Sequence, residues 1–163
     1  MTMPPGLRRL ALTAHVATSV GLLGAVAAFL VLAIAGLAGS DAAVARTAYP
    51  AMATTAWYVV LPLILAALAI GVVESLGTSW GLLAHYWIVA KLLLTAFAIA
   101  VLLLQMRLID FLAVIAAARP FAKGELFEAR LSMIVHSGAG LFVLLLPTAL
   151  SIYKPRGKTP WAR

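Results

Sequence analysis

The sequence predicts an all-α integral membrane protein, an antiparallel bundle of four transmembrane helices in a single domain. Composition is the first reason. Of 163 residues, 64% are hydrophobic and 10% charged, and the mean hydropathy is +1.09. A soluble domain is roughly 45–50% apolar and about 25% charged, so a water-soluble globule is excluded. The second reason is segment length: four apolar stretches reach the roughly 20 residues needed to cross a hydrocarbon core about 30 Å thick, where only intrahelical bonds satisfy the backbone. The third is charge placement. The net charge of +7 comes from 12 Lys and Arg against 5 Asp and Glu. The basic residues lie mainly at segment ends, which orients a membrane protein and does not describe a nucleic-acid surface. With no cysteine, disulfides, thiolate metal sites and a cysteine nucleophile are excluded.

The first span runs from about Leu10 to Leu37. Arg8 and Arg9 before it, and Ala43, Val44 and Ala45 after it, give it the look of a signal peptide. Its apolar run is about twice the roughly 7–15 residues of a secretory core, which predicts a retained span. A short connection with Gly39, Ser40 and Asp41 leads to the second span, from about Pro50 to Leu76. Gly77 ends that helix and Ser79 is a suitable N-cap for the next, so spans two and three form a tight hairpin. The third span covers about Gly81 to Leu108. Beyond it, Phe111 to Ala118 either continues the helix or lies along the membrane surface, and Pro120 stops it. The fourth span runs from about Leu131 to Tyr153.

Pro62 and Pro147 should kink spans two and four. Gly21, Gly24 and Ala28, with Gly138 and Gly140, should let helix backbones approach closely. The termini carry Arg8, Arg9, Lys154, Arg156, Lys158 and Arg163 without an acid. An even number of spans then places both termini in the cytoplasm, with the chain in a bacterial inner membrane.

An ionisable group at membrane depth costs about 2.5–3.5 kcal/mol on insertion scales, so each needs a partner or a purpose. Five such groups occur: His15, Glu74, His85, Lys91 and His136. His15 and His85 each lie about five residues into their spans, roughly 7 Å deep, and can share one ligand or cofactor. Side chains lean toward their own helix N-terminus, so Lys91 of span three and Glu74 of span two lean toward each other as an ion pair. His85 and Lys91, six residues apart, point about 120° from one another. The ordinary alternative is a structural Glu74–Lys91 pair with the histidines bonded to Thr18, Ser19 or backbone. Near the opposite face lie Met52, Met106, Met133 and His136, the last two sharing a helix face. Thioether and imidazole suit Cu(I), although methionine is also ordinary packing in apolar helices. Helix rise separates His15 from His136 by about 15 Å, so copper transport would need stepwise transfer between an inner and an outer site.

The run His15-Val16-Ala17-Thr18-Ser19-Val20-Gly21-Leu22-Leu23-Gly24 resembles the opening helix of small bacterial integral membrane proteins of unknown function, distantly like the CopD copper-resistance membrane family. Trp80-Gly81-Leu82-Leu83-Ala84-His85-Tyr86-Trp87-Ile88-Val89-Ala90-Lys91 and the ending Tyr153-Lys154-Pro155-Arg156-Gly157 are similar to those of four-span proteins of high-GC Gram-positive bacteria. The resemblance implies a small multi-pass protein and, through CopD, copper handling.

No nucleophile–base pair, phosphate loop or HExxH helix occurs, which argues against hydrolysis and group transfer. Three functional expectations remain. The first is a small ligand or ion, copper foremost, bound within the bundle. The second is haem b between His15 and His85. The third is a non-catalytic subunit whose partner, a second copy or another membrane protein, covers the spans.

Overall fold

The computed structural model describes residues 3–39, 42–78, 81–122 and 124–160. The Ser79 cap and the turn residues Ser40 and Asp41 lie outside the described residues. The elements are α1 (Pro5–Ala38), α2 (Ala42–Thr55), a π-helical turn (Ala56–Val60), α3 (Leu61–Leu76), α4 (Tyr86–Ala118) and α5 (Phe127–Tyr153). With α2, the π turn and α3 forming one rod, four rods of 34, 35, 33 and 27 residues result, each apolar and long enough to cross a bilayer. The chain is a multi-pass membrane protein built as a four-helix bundle. At 1.5 Å per residue even the 27-residue helix is about 40 Å long, beyond the roughly 30 Å of hydrocarbon, so the rods tilt or project past it.

Several boundaries differ from the sequence expectation. Pro5 in the first turn, where a missing N–H costs nothing, starts α1 five residues before Leu10. Pro50 does not open the second span. It lies inside α2, which extends back to Ala42 because Ala45, Ala48, Tyr49 and Met52 form its buried face. Packing of that stripe outweighs the bond Pro50 removes. Pro62 clashes with the carbonyl four residues back, and the chain answers by widening: Leu61 N–H bonds the Ala56 carbonyl five residues earlier. The stretch Phe111–Ala118 continues α4, which ends at Ala118, with Arg119 extended before Pro120.

The rods pack in sequence around a ring, with α1 against α2, α3 and α5, and α4 against α2 and α5. The packing is tightest at the end holding the α4–α5 connection. There Phe29, Ala33, Tyr49, Met52, Met106, Leu112 and Met133 form the larger buried core. Arg130 is buried in it at 9% exposure. Its Nε donates to Tyr49 Oη at 2.9 Å and its Nη2 to the Gly36 carbonyl at 2.6 Å. The guanidinium also lies over the Phe121 and Tyr49 rings at 4.7 and 5.7 Å. A Cβ on Gly36 would come within 3.0 Å of the Tyr49 ring, so this glycine is required for the approach.

The glycines expected to mediate contacts do so only in part. A Cβ on Gly21 would lie 3.6 Å from Leu63 and one on Gly140 4.0 Å from Val26, whereas a Cβ on Gly24 or Gly138 would meet nothing within 4 Å. Gly24 and Ala28 point to the outside.

At the opposite end α3 packs only loosely on α4. The described termini meet there: Met3 N–H bonds the Gly77 carbonyl, and the chain after α5 lies along the α3–α4 connection. Thr159 N–H bonds Ala84 O at 3.0 Å, its hydroxyl donates to the Leu83 carbonyl, and His85 pairs with Lys158 as an isolated antiparallel bridge.

Candidate functional site

Because α3 stands off α4, the bundle is hollow at the end that carries the termini. A cavity of 560 Å³ lies between the first half of α1, the second half of α3, the start of α4 and the end of α5. This volume falls within the roughly 300–1,000 Å³ of small-ligand sites. His15, Glu74 and Lys91, three of the five membrane-depth ionisable groups, line it together.

Helix geometry explains the gathering. His15 sits one and a half turns past Arg9 on the face of α1 that meets α3. Its ring lies on Gly71, where a Cβ would come 3.1 Å from Cε1. Its Nδ1 is buried without a hydrogen-bond partner. Thr18 does not serve it, because its hydroxyl donates to the Ala14 and His15 carbonyls at 2.9 and 3.0 Å. The ring has the Ala67 backbone beside it, but its buried Nδ1 is left without a partner, which costs roughly 1–3 kcal/mol, so that nitrogen is set to receive one.

Three hydroxyls around the cavity are already used. Ser75, Thr148 and Ser151 donate to the carbonyls four residues back in their own helices. Glu74 and Lys91 share the wall but do not close to ion-pair distance, the criterion that Arg119 and Glu125 meet at 2.5 Å. The Lys91 ammonium instead lies 5.4 Å from the Trp87 ring centroid, a cation–π contact. The charged and titratable groups that line the cavity are the His15 imidazole, the Glu74 carboxylate, the Lys91 ammonium, Arg8 and Lys154.

His85 departs from its expected place. Span three begins at Tyr86, and His85 is the extended residue before it (φ −133°, ψ 134°). Gly81, at φ +65°, turns the chain, and the helix cannot start until that turn and the backbone pairing to Lys158 are complete. His85 stacks obliquely near Trp87, with centroids 6.3 Å apart, and is not on the cavity wall.

The four outer candidates are partly brought together. Met52, Met106 and Met133 are 1%, 4% and 1% exposed and belong to the same core. His136 is on the outside of α5, its Nδ1 2.8 Å from the Ser132 carbonyl. With Met133 it lines a second, mainly apolar cavity of 270 Å³ that Met52 and Met106 do not reach. Among the described residues no three of His, Asp and Glu form a cluster able to hold a metal.

Sequence reasoning missed Arg130 as a structural centre. The signal was present: Arg130, Met133 and Ser137 recur at helical spacing and are the buried residues of α5. In the α4–α5 connection Glu125 is held down to about 2 by the Arg119 guanidinium, with which it forms a two-pronged pair, and by the Ala122 N–H. Comparison with protein-family models, with curated proteins and with solved structures finds no match for this chain.

Proposed function

We propose that this membrane protein binds a small ligand inside its helical bundle, in the cavity walled by His15, Glu74 and Lys91. The observation that carries the reading is the buried, unpartnered Nδ1 of His15 beside a cavity of ligand size. A purely structural histidine would have spent that nitrogen on a neighbour. The protein acts as a binding or transfer component and not as a stand-alone enzyme. It sits in a bacterial inner membrane with both termini cytoplasmic, where the termini's basic residues favour that side.

Native mass spectrometry of protein purified in mild detergent tests the reading. A stoichiometric non-protein mass is expected, and it should be lost in Ser19→Phe, which fills the cavity from α1. Absence of any bound mass, or its full retention in S19F, overturns the proposal.

A second reading is copper binding at Met52, Met106 and Met133, supported by their convergence in one buried cluster and by the likeness of the first span to the CopD family. Thioethers are the donors that soft Cu(I) takes, and two to four suffice. Elemental analysis decides it. Stoichiometric copper that falls in Met133→Leu supports this reading, and copper-free protein from copper-replete cells removes it.

A further inference from the structure

The cavity is not uniformly polar, and the gradient along it indicates what kind of molecule fits. On all four helices the charged lining residues lie toward the end with the termini: Arg8, Glu74, Lys91 and Lys154. Three are cations and one is an acid. Toward the bundle centre α1, α3 and α5 contribute Leu22, Leu23, Leu68 and Leu144. The cavity is also open sideways. Leu12, Val16 and Val20 on α1 and Ile152 on α5 line it, yet they are 55%, 52%, 63% and 73% exposed, so its wall there is the outer, lipid-facing surface of the bundle.

A molecule can therefore enter from the bilayer without crossing water. We infer that the occupant is an anionic lipid, an acyl chain carrying a carboxylate or phosphate head, with its head among Arg8, Lys91 and Lys154 and its chain along the leucines. This deepens the ligand-binding reading above and rests on it. Basic pockets between membrane helices favour such heads. The chain contributes little selectivity, because it leaves one apolar medium for another. Discrimination therefore comes from head charge. Lys91 is the central contact, since its ammonium is half-buried over Trp87 and leans toward the end where the head would lie.

Binding of myristate, phosphatidylglycerol, phosphatidylcholine and inorganic phosphate to the full chain in mild detergent, followed by native mass spectrometry, tests this. A charge-assisted contact in such a site changes affinity roughly 10- to 100-fold. The expected result is at least tenfold tighter binding of one anionic lipid than of phosphatidylcholine, a loss of that margin in Lys91→Met, and a wider margin in Glu74→Gln. Whichever of myristate and phosphatidylglycerol binds more tightly identifies the head as carboxylate or phosphate. Should K91M fail to fold, E74Q alone decides by its opposite sign. Equal retention of phosphatidylcholine, or an unchanged margin in both variants, shows annular lipid only and overturns the inference. Free phosphate binding as tightly as the lipids would also overturn it. If no lipid is retained while another mass is displaced in S19F, the lipid assignment falls and the ligand cavity stands. If nothing is retained, both fall.

Discussion

Replacing Arg130 is the perturbation with the largest effect that the structure predicts. The side chain is 9% exposed and ties three elements: α5, which carries it, α2 through Tyr49 Oη, and α1 through the Gly36 carbonyl. Arg130→Met keeps an apolar chain of similar reach but leaves the Gly36 carbonyl and the Tyr49 hydroxyl without their donor. Each orphaned group costs roughly 1–3 kcal/mol. The lost cation–π contact over Phe121, at 4.7 Å, adds up to about 2 kcal/mol at a desolvated site. Relief from burying the charge offsets part of this, so a net loss of about 3–5 kcal/mol is expected, the range seen when one member of a buried charged set is removed. For a chain of this size each kcal/mol moves Tm by about 2–4 °C, giving a fall of roughly 6–20 °C in detergent, followed by tryptophan fluorescence. Tyr49→Phe alone should cost about 1.5–3 kcal/mol, and the double variant less than the sum of the two, because both remove the same contact. A change below about 2 °C in R130M, or strict additivity, would refute the reading of Arg130 as the central tie of the core.

Three smaller predictions follow from the same geometry. Gly36→Ala places a methyl 3.0 Å from the Tyr49 ring and should cost about 1–3 kcal/mol by overpacking, while Gly24→Ala, facing open space, should gain up to about 1 kcal/mol in helix propensity; equal Tm values for the two variants would contradict this. Carboxyl NMR should find Glu125 titrating near 2 and, in Arg119→Ala, rising toward the ordinary carboxylate range. Because the folded value is depressed, the pair's contribution is present above about 4.5 and is lost as pH falls toward 2; an unmoved midpoint in the variant would show that Arg119 is not the cause. Met52→Leu and Met106→Leu conserve volume in the core and should each cost less than about 1.5 kcal/mol, with far larger losses by thermal denaturation indicating that the sulfurs do more than fill space.

The four rods were legible because lipid demands about 20 consecutive apolar residues, a signal no other constraint competes with. Their ends were less so. Pro50 reads locally as a helix start, and only the burial of Tyr49 and Ala45 against other helices extends α2 to Ala42. His85 reads as the second turn of a span, but its place is set by a backbone partner, Lys158, more than seventy residues away, which periodicity cannot reveal. Depth put His15, Glu74, His85 and Lys91 near one membrane face, but the sequence paired His15 with His85, whereas the cavity wall holds His15 with Glu74 and Lys91. The separation of Glu74 from Lys91 was not readable, because Trp87 offers the ammonium another face. Met52, Met106 and Met133 share one buried cluster, while His136, three residues on from Met133, is exposed and meets Met133 only along the second cavity.

The π turn at Ala56–Val60 carries a consequence for the whole rod that contains it. One surplus residue per turn advances the rest of a helix by about 100°. The inward face of α2, which leans on α4, is thus handed on in α3 to the side that leans on α1. Deleting one residue between Ala56 and Val60 would rotate α3 by about 100° about its axis and carry Gly71 away from the His15 ring. The face that α3 turns toward His15 is thus set by a phase shift about three turns away.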